Sequence, residues 1–107
     1  MTVNTTKLTE AINRCFDYSM DGRLTPARRN KYLTEGKRLR GLLLNLISAR
    51  FEDGTQAVIN ANSKLDEVND QLRDSVAAIE SAAEVLANVA RLVKVLDGLL
   101  GVATSFL

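Results

Sequence analysis

The sequence predicts an all-α domain, and three observations carry that prediction. From Val58 onward, positions Ala61, Leu65, Val68, Leu72, Ser75, Ile79, Ala82, Leu86, Val89, Val93, Leu96 and Leu100 follow one another at alternating spacings of three and four, apolar throughout except for Ser75. That is the period of a single helical stripe, sustained long enough to predict one long helix in coiled-coil-like packing. The only proline, Pro26, follows Thr25, which places a good N-cap residue ahead of proline at the first helical position. Near the N-terminus, Leu8, Ile12 and Phe16 lie four apart with Ala11 and Cys15 beside them, the pattern of a short amphipathic helix.

In chain order, the first helix is predicted over about residues 6–20, ending near Asp21-Gly22. The second runs over about 26–51, after which Glu52-Asp53-Gly54 supplies a turn and Thr55 can cap the next helix. The third spans about 55–97, roughly 65 Å at ~1.5 Å per residue. Asn60-Ala61-Asn62-Ser63 is a possible separate start, but the apolar seam crosses it in register, which favours continuity. Helices two and three then form a long antiparallel hairpin within a single domain, 1–107, with residues 98–107 as an apolar C-terminal tail.

Beyond residue 75 the stripe widens. Val76, Ala78, Ala83, Val85, Ala90, Leu92 and Leu99 now flank the seam, so this part of the chain must meet at least two neighbours. A short first helix covers only some of it. Leu92, Val93, Leu96, Leu99, Leu100 and Phe106 are therefore predicted to form an association surface, most simply with a second copy.

Charge is balanced overall, at +1, and strongly divided along the chain. Residues 23–50 carry eight Lys/Arg against Glu35 alone, most of them in the tract RRNKYLTEGKRLR; residues 51–84 carry eight Asp/Glu against Lys64 and Arg73. The pattern predicts a basic edge (Arg28, Arg29, Lys37, Arg38) and an acidic edge (Glu67, Asp70, Asp74). Nucleic acid is disfavoured as a partner, because net charge is near zero and Tyr32 is the sole aromatic in the tract to stack on a base.

Chemistry-bearing residues are sparse. There is no histidine, which removes the commonest general base and metal ligand. The single cysteine, Cys15, lies on the apolar face of the first helix and reads as a small buried hydrophobe; a lone cysteine also fits a reducing, cytoplasmic setting. Glu67-Val-Asn-Asp70, with Asp74 one turn on, resembles the carboxylate spacing of all-α nucleotide pyrophosphohydrolases, which would imply Mg²⁺. Those enzymes use further acids on a facing helix, where this chain offers only Glu35 among arginines. No catalytic residue, cofactor or metal is therefore expected. The first residues lack a leader's apolar core, and the longest uncharged stretch, GLLGVATSFL, is about half the roughly 20 residues a spanning helix needs.

The sequence thus predicts a non-catalytic helical protein–protein interaction module that self-associates as a homo-oligomer, of the kind found among immunity proteins, secretion chaperones, adaptors and assembly subunits. The runner-up is a membrane-active helical protein whose apolar C-terminal third inserts at a membrane surface.

Overall fold

The Thr25–Pro26 signal starts a helix as predicted: Pro26 is its first residue, and the Thr25 hydroxyl accepts a hydrogen bond from the Arg28 amide at 3.2 Å. The computed structural model describes residues 1–101, with helices α1 (Thr5–Ser19), α2 (Pro26–Leu46), α3 (Gln56–Arg73), α4 (Ser75–Glu80) and α5 (Ala82–Leu100). The chain is all-α, and α1 begins where Asn4 caps the Lys7 amide. The second helix stops at Leu46, short of the predicted Phe51. Beyond it the chain turns so that Phe51 is buried and hydrogen-bonded through its backbone to Met1, tying the N-terminus to this corner. Gly54, at φ +77°, makes the next turn, a conformation that costs glycine little.

The predicted long third helix is instead three. α3 runs unbroken through Asn60–Ser63, and the chain breaks further on, at Asp74 and Ser81. Asp74 leaves helical geometry (ψ 97°), and its carboxylate accepts from the amides of Val76 and Ala77 at 3.1 and 3.3 Å. Those amides would otherwise have bonded back into α3. The carbonyls freed by the breaks find distant donors. Tyr18 donates its hydroxyl to Leu72 O, which an unbroken helix would have paired with the Val76 amide; Tyr32 donates to Ala78 O at 2.8 Å, in place of the Ala82 amide. The two rings lie 5.2 Å apart, and burial raises both phenol pKa values, so both stay protonated donors.

The breaks fold α5 back along α3. Asn88 of α5 donates to Gln71 and Glu67 of α3 at 2.8 and 3.2 Å. α1 runs parallel to α3, with Asn4 beside Asn62, Lys7 beside Asp66 and Glu10 beside Arg73. α1 and α5 each pack on both α2 and α3, so the four longer helices form a bundle in which α2 and α3 are diagonal. The predicted hairpin of helices two and three is therefore not the pairing adopted. α2 lies against α5 instead, running in the same direction: Arg28 and Lys31 flank Ala83 and Leu86, and Asn45 flanks Asp97. A seam states which face of a helix is apolar without naming the helix it meets. Here α1, packed tightly onto both α2 and α3, separates the two.

The predicted widening of the stripe holds for Ala78, Val85, Leu92 and Leu99, which are buried, and not for Val76 and Ala83, which are exposed. α5 has two neighbours and buries Val85, Leu86, Val89, Leu92, Leu96 and Leu99 against them. The core continues through Leu8, Ile12 and Cys15 of α1, Tyr32, Leu39 and Leu46 of α2, and Val58, Ala61, Leu65, Val68 and Leu72 of α3.

Candidate functional site

On the face where α2 and α5 run side by side, the helices leave a groove. One section, about 520 Å³, is lined by Arg28, Lys31, Thr34, Glu35 and Arg38 of α2 and by Ala83, Leu86, Ala87 and Ala90 of α5. A second, about 450 Å³, shares Arg38 and continues past Gly41, Leu42 and Asn45 to Val93, Lys94 and Asp97. The lining follows from helical spacing. Positions 28, 31, 35, 38, 42 and 45 recur every three or four residues on α2, as 83, 87, 90, 94 and 97 do on α5. Three alanines in the floor leave the α5 backbone shallowly covered, while long cationic side chains rise along the α2 rim.

The rim is cationic because two of its three charges, those of Arg28 and Lys31, are not spent inside the molecule. Arg28 and Lys31 have no carboxylate within 4.0 Å among the described residues. Arg38 pairs with Glu35 at 2.8 Å. Glu35 is itself only 8% exposed, and its Oε2 is enclosed without a hydrogen-bond donor among the described residues. The predicted basic edge therefore divides. Arg28 and Arg38 line the groove together with Lys31 of the same basic tract; Arg29 is half-buried; Lys37 is exposed; and the guanidinium of Arg40 sits 5.3 Å above the Phe16 ring.

The acidic edge has other work. Glu67 is held by Lys64 at 3.1 Å and by Asn88, Asp70 by Arg73 at 3.3 Å, and Asp74 caps α4. Arg73 also holds Glu10, through bonds of 2.9 Å that lower the pKa of that carboxyl. These carboxylates do not converge, and among the described residues no three acidic or thiol groups gather as metal ligands. Paired acids on α3 and unpaired cations on α2 leave the groove as the positive face.

The predicted association surface requires correction. Leu92, Leu96 and Leu99 are buried in the chain's own core, Val93 and Leu100 pack partly buried against it, and Phe106 lies outside the described residues. Helices α2 and α3 together cover what α1 alone was expected to leave open. Self-association through these leucines as an exposed patch therefore loses its basis. The feature missed by sequence reasoning is the alanine series at 83, 87 and 90: Ala83 and Ala90 belong to the widened apolar stripe, yet Ala83 and Ala87 are exposed.

Cys15 is buried, with its thiol pushed up to about 12, chiefly by desolvation and secondarily by Glu35. Native protein at pH 8 is accordingly expected to resist a disulfide-exchange reagent such as DTNB, and one equivalent should react promptly in denaturant. Rapid stoichiometric labelling of the native chain would show Cys15 to be accessible.

Comparison with known proteins returns no matching family model, no matching curated protein and no matching solved structure.

Proposed function

We propose that the chain is a non-catalytic protein-interaction module that receives an acidic amphipathic helix of another protein in the groove between α2 and α5. The observation that carries this reading is the uncompensated cationic rim, Arg28 and Lys31, above a floor of alanines. Small floor residues let a second helix backbone approach closely, and the rim selects for its charge. A copy of this chain is the poorer occupant. In a two-fold contact the same patch meets itself, so cationic rim would face cationic rim, while the α3 acids are engaged with Lys7, Lys64 and Arg73. No described helix is long and apolar enough to cross a membrane, and the leucines of α5 that would have to enter lipid already form the core. A reducing compartment such as the cytoplasm suits the buried thiol of Cys15.

The test is a titration of isotope-labelled protein with a synthetic amphipathic helix whose Ala/Leu face is flanked by Glu, against the same peptide flanked by Lys. Shifts confined to residues around Arg28, Lys31, Arg38, Ala83, Ala87 and Ala90, seen with the acidic peptide only and weakened by salt, are expected. The double variant Arg28→Glu/Lys31→Glu should retain the fold and lose about tenfold or more in affinity, the size of effect that a few rim charge pairs produce. Equal binding of the Lys-flanked peptide, or shifts on another face, would overturn the assignment.

A further inference from the structure

The apolar seam from Val58 to Leu100 is continuous in sequence, yet the helix that carries it is broken twice. The breaks are held by few contacts. Asp74 caps α4 through two amides, and the hydroxyls of Tyr18 and Tyr32 occupy the carbonyls of Leu72 and Ala78. Neither break contains proline or glycine, so nothing in the covalent backbone forbids helix from residue 73 to residue 82. Straightening there would re-form the main-chain bonds that the two tyrosines and Asp74 replace, and would carry α5 away from its own α3.

We infer that a second copy of this chain can accept α5, giving a domain-swapped dimer in which α3, α4 and α5 form one helix and each bundle is completed by the partner's α5. Every contact α5 makes with α2 and α3 is regained in the partner copy, since the two sets of receiving surfaces are identical. Leu92, Leu96 and Leu99 then join two chains through the core rather than through an outer patch. The surface at the hinge suits such an assembly. Met20 and Val76, 75% and 61% exposed, lie at the end of the bundle where α4 turns, and the extended helices of two copies would run past each other there. The monomer and the swapped dimer differ mainly at the hinge. Its capping and tyrosine bonds decide the balance.

The test weakens the hinge and reads which chain supplies α5. The full-length variant Tyr18→Phe/Tyr32→Phe/Asp74→Ala is expected to dimerise with a dissociation constant lower than wild type by about tenfold or more, given the hydrogen bonds removed from the closed form alone. Size-exclusion chromatography with light scattering measures this, and circular dichroism should show helicity at or above that of the monomer. To identify the swap, two chains in a Cys15→Ser background are refolded together, one carrying Gln71→Cys and the other Asn88→Cys. These positions touch across α3 and α5, so a disulfide between the two chains forms only when the α5 of one lies on the α3 of the other. Ser75→Pro should block the swap while leaving the monomer folded, because proline suits the first position of α4 after an extended residue and cannot continue α3. Should the triple variant fail to fold, Tyr32→Phe and Asp74→Ala singly are read the same way. Hinge variants that stay monomeric, or dimers without the cross-chain disulfide, would overturn the inference.

Discussion

Leu96→Asp is expected to abolish the cooperative fold. Leu96 is fully enclosed in the core formed by α5 with its neighbours α2 and α3. The substitution removes a buried leucine's packing, on the order of 2–5 kcal/mol. It also places a carboxylate in an apolar interior that cannot solvate it, a further several kcal/mol, on the order of 3–5. A small domain has about 5–15 kcal/mol in total. Thermal melting followed by circular dichroism should therefore show no sigmoidal transition for Leu96→Asp, while Arg91→Ala, on the exposed side of the same helix, should shift the midpoint by only a few degrees. The comparison separates two structural roles. Were Leu96 part of an outer association patch, the aspartate would yield a well-folded monomer; that outcome would remove Leu96 from the core.

The fold class was legible because the 3.6-residue period is local and every long helix but α2 displays it plainly. So was the demand that the last helix meet two neighbours, since the apolar stripe of α5 is wide in the sequence itself. Pairing was not legible. A heptad pattern fixes the face of α3 that turns inward but is silent on whether α1 or α2 lies beneath it, and the answer depends on the close seating of α1 on α2. The breaks were half legible. Asp74 and Ser81 are both residue types that cap helices, Ser81 with Glu84 three positions on, but the seam passes both in register, and in the structure, of the two, only Asp74 caps through its side chain. What satisfies the broken helix comes from Tyr18 and Tyr32, 54 and 46 residues away from the carbonyls they reach, beyond any window of local pattern. The groove shows the same division. Its cations were plain in the tract RRNKYLTEGKRLR, but Glu35, that tract's lone acid, proves to be buried. The alanines at 83, 87 and 90 resemble a broad core face, and only the placement of α2 on one side of α5 leaves them at the floor of an open channel.

Gly36→Val is expected to lower stability by about 3 kcal/mol, at the upper end of what overpacking a close interface costs. A Cβ at Gly36 would lie 2.9 and 3.0 Å from two ring atoms of Phe16 and 3.2 Å from the Cβ of Cys15, distances at which something must move. Cys15 Cβ is fixed to the α1 backbone and buried, so it can yield only if the helices separate. Phe16 is half-buried, and swinging its ring outward would also displace Arg40 from above it. Valine adds two methyl groups to this contact and a branched Cβ that helices disfavour. Separation of α1 from α2 would reach the tyrosine pair directly, since Tyr18 and Tyr32 sit on the same interface and hold the α3–α4 and α4–α5 breaks. Chemical denaturation measures the loss, and Gly41→Ala is the matched control. A methyl group at Gly41 would meet nothing within 4 Å, so alanine there should stabilise α2 by about 0.5–1 kcal/mol through backbone entropy alone. Opposite signs at two glycines of one helix are what close packing at Gly36 requires. A Gly36→Val chain as stable as wild type would mean that α1 and α2 are not held at this separation.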